Sequence, residues 1–369
     1  MKDECRGARR APFLAVVVLF TIASLSQAES YLAVREGLSC GSCHVNRTGG
    51  GQRTRMGAGY GAHEMPWKKI DLEAKKVPFF LSFHDDLIAI GGDFRFTNQS
   101  TFVEDRTSNT FQTDKSNLYL RINLIPDRVT FYLDESVAPG GAQSREIFGM
   151  LQGLPGRGWL KAGEFVLPYG IRLEDDRAFI REVSGFNFNN ADQGVEIGFA
   201  PGAWNFAASV TNGTPGSSDD NAGKLLAGSI YYLNSRFRVG ISGSHNPSDS
   251  GDRNSGALWA GLRVGPAVLQ GEIDTIRDDS VPGQSRDLLV TYAELDYLIA
   301  PGWNVKAAYE YFDPSRDIDE NERDRVLIGI EPVFCTFLQL QIFYRFNQSI
   351  PQNKLQNADD LTVRLHIYF

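Results

Sequence analysis

An all-β fold, closed as a transmembrane antiparallel β-barrel of about sixteen strands, is what this sequence predicts, on three observations. Hydrophobicity alternates with period two from about residue 86 to the last residue, in segments of about ten residues. Short turns and long polar loops alternate between those segments, as they do at the two rims of such a barrel. Beyond the N-terminal region there is no apolar run of about 18 residues, so spanning helices are not available to the chain.

In chain order, residues 1–28 read as a secretory signal. Lys2, Arg6, Arg9 and Arg10 form a positive n-region and Ala11 to Leu25 an apolar h-region. Ser26-Gln27-Ala28 puts small residues at the two positions that signal peptidase inspects, so cleavage is expected after Ala28. An uncleaved anchor fits less well, because the apolar run is short and ends in this processing pattern. Cys5 leaves with the signal; Cys40, Cys43 and Cys335 remain, which is no disulfide framework. The formal net charge of −8 gives no support to nucleic-acid binding.

Residues 29–80 carry Cys40-Gly41-Ser42-Cys43-His44, the C-x-x-C-H pattern of c-type haem attachment. Two thiols separated by two residues lie on one turn of chain and can form thioethers to one porphyrin edge. The adjacent His44 can then reach the iron as proximal ligand. Half of a zinc site and a C-x-x-C disulfide are the competing readings. A closed zinc site needs about four ligands, and the other cysteines are far away in sequence. A redox disulfide would be expected in a βαβ context, which is absent. Export suits the haem, which is attached outside the cytoplasm.

The segment is too short to build a core of its own, so a haem here needs cover from elsewhere. Its glycines, in Val45 to Gly51 and Met56 to Gly61, mark either a flexible linker or a close approach of backbone to a flat ring. His63, Met56 and Met65 are the distal-ligand candidates, with His84 weaker; a barrel residue or an open position are the alternatives. Arg47, Arg53 and Arg55 can pair with haem propionates or stay solvated. Glu73 to Pro78 reads as a charged hinge or a plain solvated linker.

Residues 81–369 are the barrel. Alternating segments lie near 86–97, 115–125, 128–135, 144–153, 158–166, 190–200, 203–212 and 223–233. The rest lie near 236–245, 255–264, 267–275, 286–299, 303–312, 323–332, 336–346 and 360–369. Long polar loops are expected near 98–114, 136–143, 167–189, 213–222, 246–254, 276–285, 313–322 and 347–359. An even count puts both termini on the periplasmic side, so the haem segment enters there and is expected to plug a polar lumen. Arg121, Arg345, Arg364, Lys306 and Glu310 are lumen-facing residues that either touch the plug or line a wet channel. Cys335 falls in a periplasmic turn and has no assigned role. Phe369 on an alternating last strand resembles the C-terminal signal that outer-membrane proteins present to their insertion machinery.

Gly37-Leu38-Ser39-Cys40-Gly41-Ser42-Cys43-His44 followed by such a barrel resembles the fused monohaem cytochrome–porins of the bacterial outer membrane, among them the proposed extracellular iron oxidases. The stretch from Lys161 to Asp175 is similar to a strand-and-loop segment of such porins and of phosphate-selective porin relatives. The resemblance implies one covalent haem c, with haem roles for Cys40, Cys43 and His44. Val45 to Met56 lacks the Pro-x-Leu-x-x-Phe-Gly-Arg-type segment of the iron oxidases, so the iron substrate has no motif behind it.

The leading functional expectation is electron transfer across the outer membrane, with extracellular Fe(II) oxidation as one version and electron export as another. Its partners are a periplasmic electron carrier such as a soluble cytochrome, an external donor or acceptor, and outer-membrane lipid. The alternative is a diffusion porin whose haem segment plugs or gates the lumen. A small haem peroxidase is a third reading and needs an open distal position. No hydrolytic site is evident.

Overall fold

The computed structural model describes residues 29–104, 106–215, 219, 221–281 and 283–369; the expected signal peptide, with Cys5, lies outside them. Among the described residues one antiparallel sheet of 17 strands contains every strand, and all but the first form a closed ring. The short strand β1 (Leu81–Phe83) pairs only with β2 (Ile88–Val103), at the mouth of the ring. Each later strand pairs with its predecessor: β3 (Arg106–Ile125), β4 (Val129–Ala138), β5 (Gln143–Leu154), β6 (Gly158–Phe165), β7 (Asp192–Phe199), β8 (Trp204–Thr211) and β9 (Leu225–Leu233). The series continues through β10 (Phe237–Ser248), β11 (Gly251–Val264), β12 (Ala267–Asp278), β13 (Arg286–Ala300), β14 (Trp303–Asp313), β15 (Arg323–Cys335), β16 (Leu338–Gln348) and β17 (Asp359–Tyr368). The ring closes where β17 lies against β2, in register from Asp359↔Phe102 to Tyr368↔Asp93. Each alternating segment of the sequence corresponds to one of these strands.

Period two sorts the residues as expected. On β12 and β13, Leu269, Ile273, Leu295 and Ile299 are exposed on the outside, while Gln270, Glu272, Asp274, Glu294 and Asp296 are buried inside. Near the short turns, Trp204 packs against Phe206 and Tyr232, and Tyr232 against Phe237, forming part of an aromatic girdle.

Two expected loops are largely strand in the structure. The span 98–114 is mostly strand, because β2 and β3 continue as a long hairpin that turns at Glu104. The span 246–254 is likewise largely taken up by β10 and β11, whereas the loop at 276–285 is present, beginning after β12 ends at Asp278. Beyond the apolar belt the outer face no longer meets lipid, so the hydrophobic alternation stops while the hydrogen-bonded ladder goes on. Asn98 and Asn109 exchange amide hydrogen bonds of 2.9 and 3.0 Å across that extended hairpin.

The loop between β6 and β7 is long, as expected, but it folds into the lumen. It carries a helical turn, Phe179–Glu182. Leu167, Tyr169, Ile171, Leu173, Phe179 and Ile180 are buried against Trp259, Ile276, Leu288, Val290, Tyr292 and Phe312 of the wall. Full burial of each such side chain is worth about 1.5–3 kcal/mol, ample to hold the loop down. Glu310 accepts from Phe179 N–H at 2.7 Å, Arg345 pairs with Asp175, and Arg325 stacks over the Phe179 ring at 3.7 Å.

Ile241 faces outward in mid-strand, opposite Leu258. Ile241→Arg should destabilise the barrel by about 2–4 kcal/mol, the depth-dependent penalty of a midplane charge, measured by urea unfolding in lipid.

Candidate functional site

The N-terminal segment is built from three short helices, α1 (Ser30–Glu36), α2 (Cys40–Cys43) and α3 (Arg55–His63). Gly37 ends α1 in the left-handed conformation, φ 63°, its backbone N–H directed at the Ala33 and Val34 carbonyls. Thr54 caps α3, its Oγ1 accepting from Gly57 N–H at 3.2 Å and donating to Ser42 O at 2.9 Å. That bond ties α3 to α2. A Cβ on Gly57 would lie 2.2 Å from the Cys43 carbonyl oxygen, so only glycine allows the two helices this approach. Between them His44 pairs with Arg53 across a tight loop, and Gly51 (φ 64°) leaves room where a Cβ would sit 2.0 Å from Tyr132 Oη.

The segment sits inside the barrel at the short-turn end, held from many directions. Asn46 donates to Glu146 Oε1 at 2.7 Å and accepts from Lys161 Nζ at 3.0 Å, and Lys161 also pairs with Glu196 at 2.9 Å. Gln52 N–H donates to Tyr132 Oη at 2.9 Å; Arg35 donates to Asn304 Oδ1 at 3.0 Å; Thr336 Oγ1 donates to Ala62 O at 3.0 Å. Lys161, Glu146 and Glu196 are buried charges, which are costly unless paired. Asn46 sits between Lys161 and Glu146 as part of that pairing. The chain then follows the rim, where Trp67 and Lys68 donate to the Val333 and Phe334 carbonyls at 2.9 and 3.0 Å. Cys335 ends β15 beside Lys68, rather than lying in the turn itself. Residues 73–78 are exposed.

A cavity opens beside α2. Cys40, Cys43, His44 and Met65 all line it. The two thiols are unbridged. Burial, followed by the neighbouring Cys40, raises the Cys43 thiol. His44 Nδ1 lies 3.3 Å from Gly51 O; with the proton on Nδ1, that atom donates and Nε2 keeps its lone pair. Burial, reinforced by the Arg53 guanidinium, lowers His44 to about 4, so the ring is neutral at pH 7. Among the described residues no group of three or more His, Cys, Asp and Glu is arranged to hold a metal ion alone. The donor set instead suits a flat, covalently held macrocycle: two thiols on one turn, a neutral imidazole oriented by its carbonyl, and a thioether on the same cavity.

The distal candidates separate. Met65 lines the cavity, Met56 is 52% exposed, and His63 packs edge-on against Phe79 with ring centroids 5.4 Å apart. His84 is exposed at the β1–β2 turn. Of the three arginines, Arg53 reaches the cavity and stacks on Tyr368 at 3.6 Å. Arg47 donates to Gln152 at 2.8 Å and Arg55 to Ser82 at 3.1 Å. Of the five lumen-facing residues expected from the sequence, Lys306 contacts the plug through Glu29 at 3.2 Å. Arg345 and Glu310 hold the inward loop, while Arg121 pairs with Asp86 and Arg364 with Asp114.

The structure adds cavity residues that sequence reading missed: Arg172, Glu174 and Phe188 from the inward loop and Arg238 from β10. Arg172 also donates to Thr48 Oγ1 at 3.0 Å, so plug and loop meet there. Burial opposes the charge on Glu174, but Lys115 and Arg95 outweigh it and hold the carboxyl far below its ordinary range. Arg172 and Glu174 fall in the Lys161–Asp175 stretch that resembles a porin segment, but nothing in the sequence connects them or Phe188 and Arg238 with α2, because only the infolding of the loop brings the loop residues there.

Comparison with known proteins bears on the barrel. No protein-family model matches the sequence, and no curated protein matches it. Among solved structures, an anion-selective porin from Comamonas acidovorans aligns at 13% identity and TM-score 0.62, covering 76% of this chain and 99% of the porin. A loop L8 deletion mutant of the outer membrane protein OmpT of Vibrio cholerae aligns at 12% identity and TM-score 0.60, covering 77% of this chain and all of that one. Salmonella typhi OmpF, in complex with daunomycin, aligns at 12% and 0.58, covering 78% and 100%. At these identities the likeness is one of fold: the chain has the closed sixteen-strand barrel of outer-membrane porins.

Asn46→Ala strands Lys161 and Glu146 without their shared amide. The loss should loosen the plug by about 1–3 kcal/mol. Limited proteolysis should then cut within residues 29–67 faster than in the unmodified protein, while the barrel keeps its heat-modifiable electrophoretic mobility.

Proposed function

We propose that this chain is an outer-membrane barrel whose plug holds one covalent c-type haem and serves electron transfer between the two sides of the membrane. The observation that carries the reading is a cavity lined by both thiols of the C-x-x-C-H motif, its histidine and Met65. Cys40 and Cys43 would bind the group, His44 would be the proximal ligand through Nε2, and Met65 is the favoured distal ligand. Haem supplies reversible one-electron chemistry when bound, with a potential set by axial ligand and burial. The chain's part is to fix His44 through Gly51, to exclude water with Phe188 and α1, and to surround the site with Arg53, Arg172 and Arg238. The proposed partners are a periplasmic electron carrier at the short-turn end and an external one-electron donor or acceptor; Fe(II) is one candidate donor.

A second reading is favoured by a different observation. The barrel has the fold of diffusion porins and a lumen lined with charge, which supports passive solute passage past a plug.

A pyridine haemochrome spectrum on the purified protein, expressed with the haem-attachment machinery, tests the first reading. A c-type band lost in Cys40→Ala/Cys43→Ala is expected, and a folded barrel without that band overturns it. Met65→Ala should lower the midpoint potential, because a thioether ligand raises it. Bilayer conductance of the intact protein and of a truncation starting near Val77 tests the second: free conduction by the intact protein favours the porin, conduction only on truncation a sealed plug.

A further inference from the structure

Glu29, where signal cleavage would begin the mature chain, is buried within the lumen. Its carboxylate lies 3.2 Å from Lys306 Nζ. That ammonium is shared with Glu294 at 3.3 Å, Glu331 at 3.7 Å and Asp296 at 3.9 Å. Four buried carboxylates thus surround one lysine. Arg35, the next cation, directs its Nη2 at Asn304 Oδ1. Counting both cations, the formal charge is −4 + 2 = −2. Burial raises the Glu29 carboxyl to about 8; Lys306 opposes the rise, and Glu331 and Glu294 add to it.

The cluster also has acceptors to spare. Asp296 Oδ2 and Gln270 Oε1 are buried with no hydrogen-bond donor among the described residues. Gln270 stands beside the start of α1, its Nε2 donating to Ser30 Oγ at 2.6 Å. Excess negative charge and two orphan acceptors, one of them on the residue that bonds Ser30, call for a cation with several N–H groups.

We propose that removal of the signal peptide completes this cluster: the α-ammonium created on Glu29 pairs with the carboxylates of Glu294, Asp296 and Glu331 and locks the leading end of the plug into the lumen. Hydrolysis of the Ala28–Glu29 bond consumes one water. It leaves a carboxylate on Ala28 and an amine on Glu29, which takes up a proton. The precursor has at that point a neutral amide with one N–H; the processed chain has a positive charge and three N–H donors. Processing and seating of the plug are therefore coupled. This inference is independent of haem and holds for either function above.

The test is amine labelling of the purified mature barrel in detergent at neutral pH with an N-hydroxysuccinimide ester, native against urea-unfolded, read by mass spectrometry of the N-terminal peptide. That peptide should begin at Glu29 and label at least roughly tenfold more slowly in the native state, the effect of one pKa unit on the reactive free amine. In Asp296→Asn/Glu331→Gln the native rate should rise towards the unfolded one. A mature chain that starts elsewhere, a Glu29 amine that labels equally fast in both states, or slow labelling that persists in the double variant would each overturn the proposal. Should the double variant not fold, the labelling ratio of the unmodified protein decides alone.

Discussion

Closure of the backbone ladder between β17 and β2 is the constraint on which the rest of the structure depends. In hydrocarbon no backbone N–H or C=O can be left unpaired, and a ring of strands satisfies them only if it has no edge. Sixteen strands close that ring, but they also leave an interior too wide for wall side chains to fill. The inner face is rich in charge: Glu272, Asp274, Glu294, Asp296, Lys306 and Glu331 are all buried there. Two segments of the chain occupy the space and meet those charges, the loop after β6 in the middle and the N-terminal helices at the short-turn end.

The two inserts are held by different physics. The loop is docked mainly by apolar side chains set against a patch of the wall. The plug is docked mainly by polar and ionic contacts, among them Asn46 with Lys161 and Glu146, and Glu29 with Lys306. Such contacts are strong only where they are complete, since a buried partner left alone is costly. The plug therefore has a definite seat. Arg172 joins the inserts by bonding Thr48 from the loop side, which makes the cavity beside Cys40 and Cys43 a product of both.

The barrel was legible because period-two alternation is imposed locally by lipid on one face and polar lumen on the other. It failed where lipid ends: the outer half of β2 and β3 reads as loop, because Thr97 to Thr101 have lost the apolar partner face yet remain paired with Ser108 to Gln112. The C-x-x-C-H motif was legible because Cys40, Cys43 and His44 are adjacent in sequence. The cavity around them was not, since Arg172, Glu174, Phe188 and Arg238 arrive from positions far along the chain. The same reason left three distal candidates standing; spacing behind the motif does not say that Met56 turns outward while Met65 turns in.

The plug's contacts also set an order of events. Glu29 meets Lys306 and Arg35 meets Asn304, the latter pair 269 residues apart, and Thr336 meets Ala62 across 274. Its other partners, Tyr132, Lys161 and Gln270, stand on strands spread around the ring. Its seat therefore does not exist until the barrel has formed. Contacts of such sequence separation form late, after the entropy of closing the intervening chain has been overcome. The part of the chain made first is thus the last to become ordered. Until that seat exists, Cys40, Cys43 and His44 lie on a segment that the barrel does not enclose.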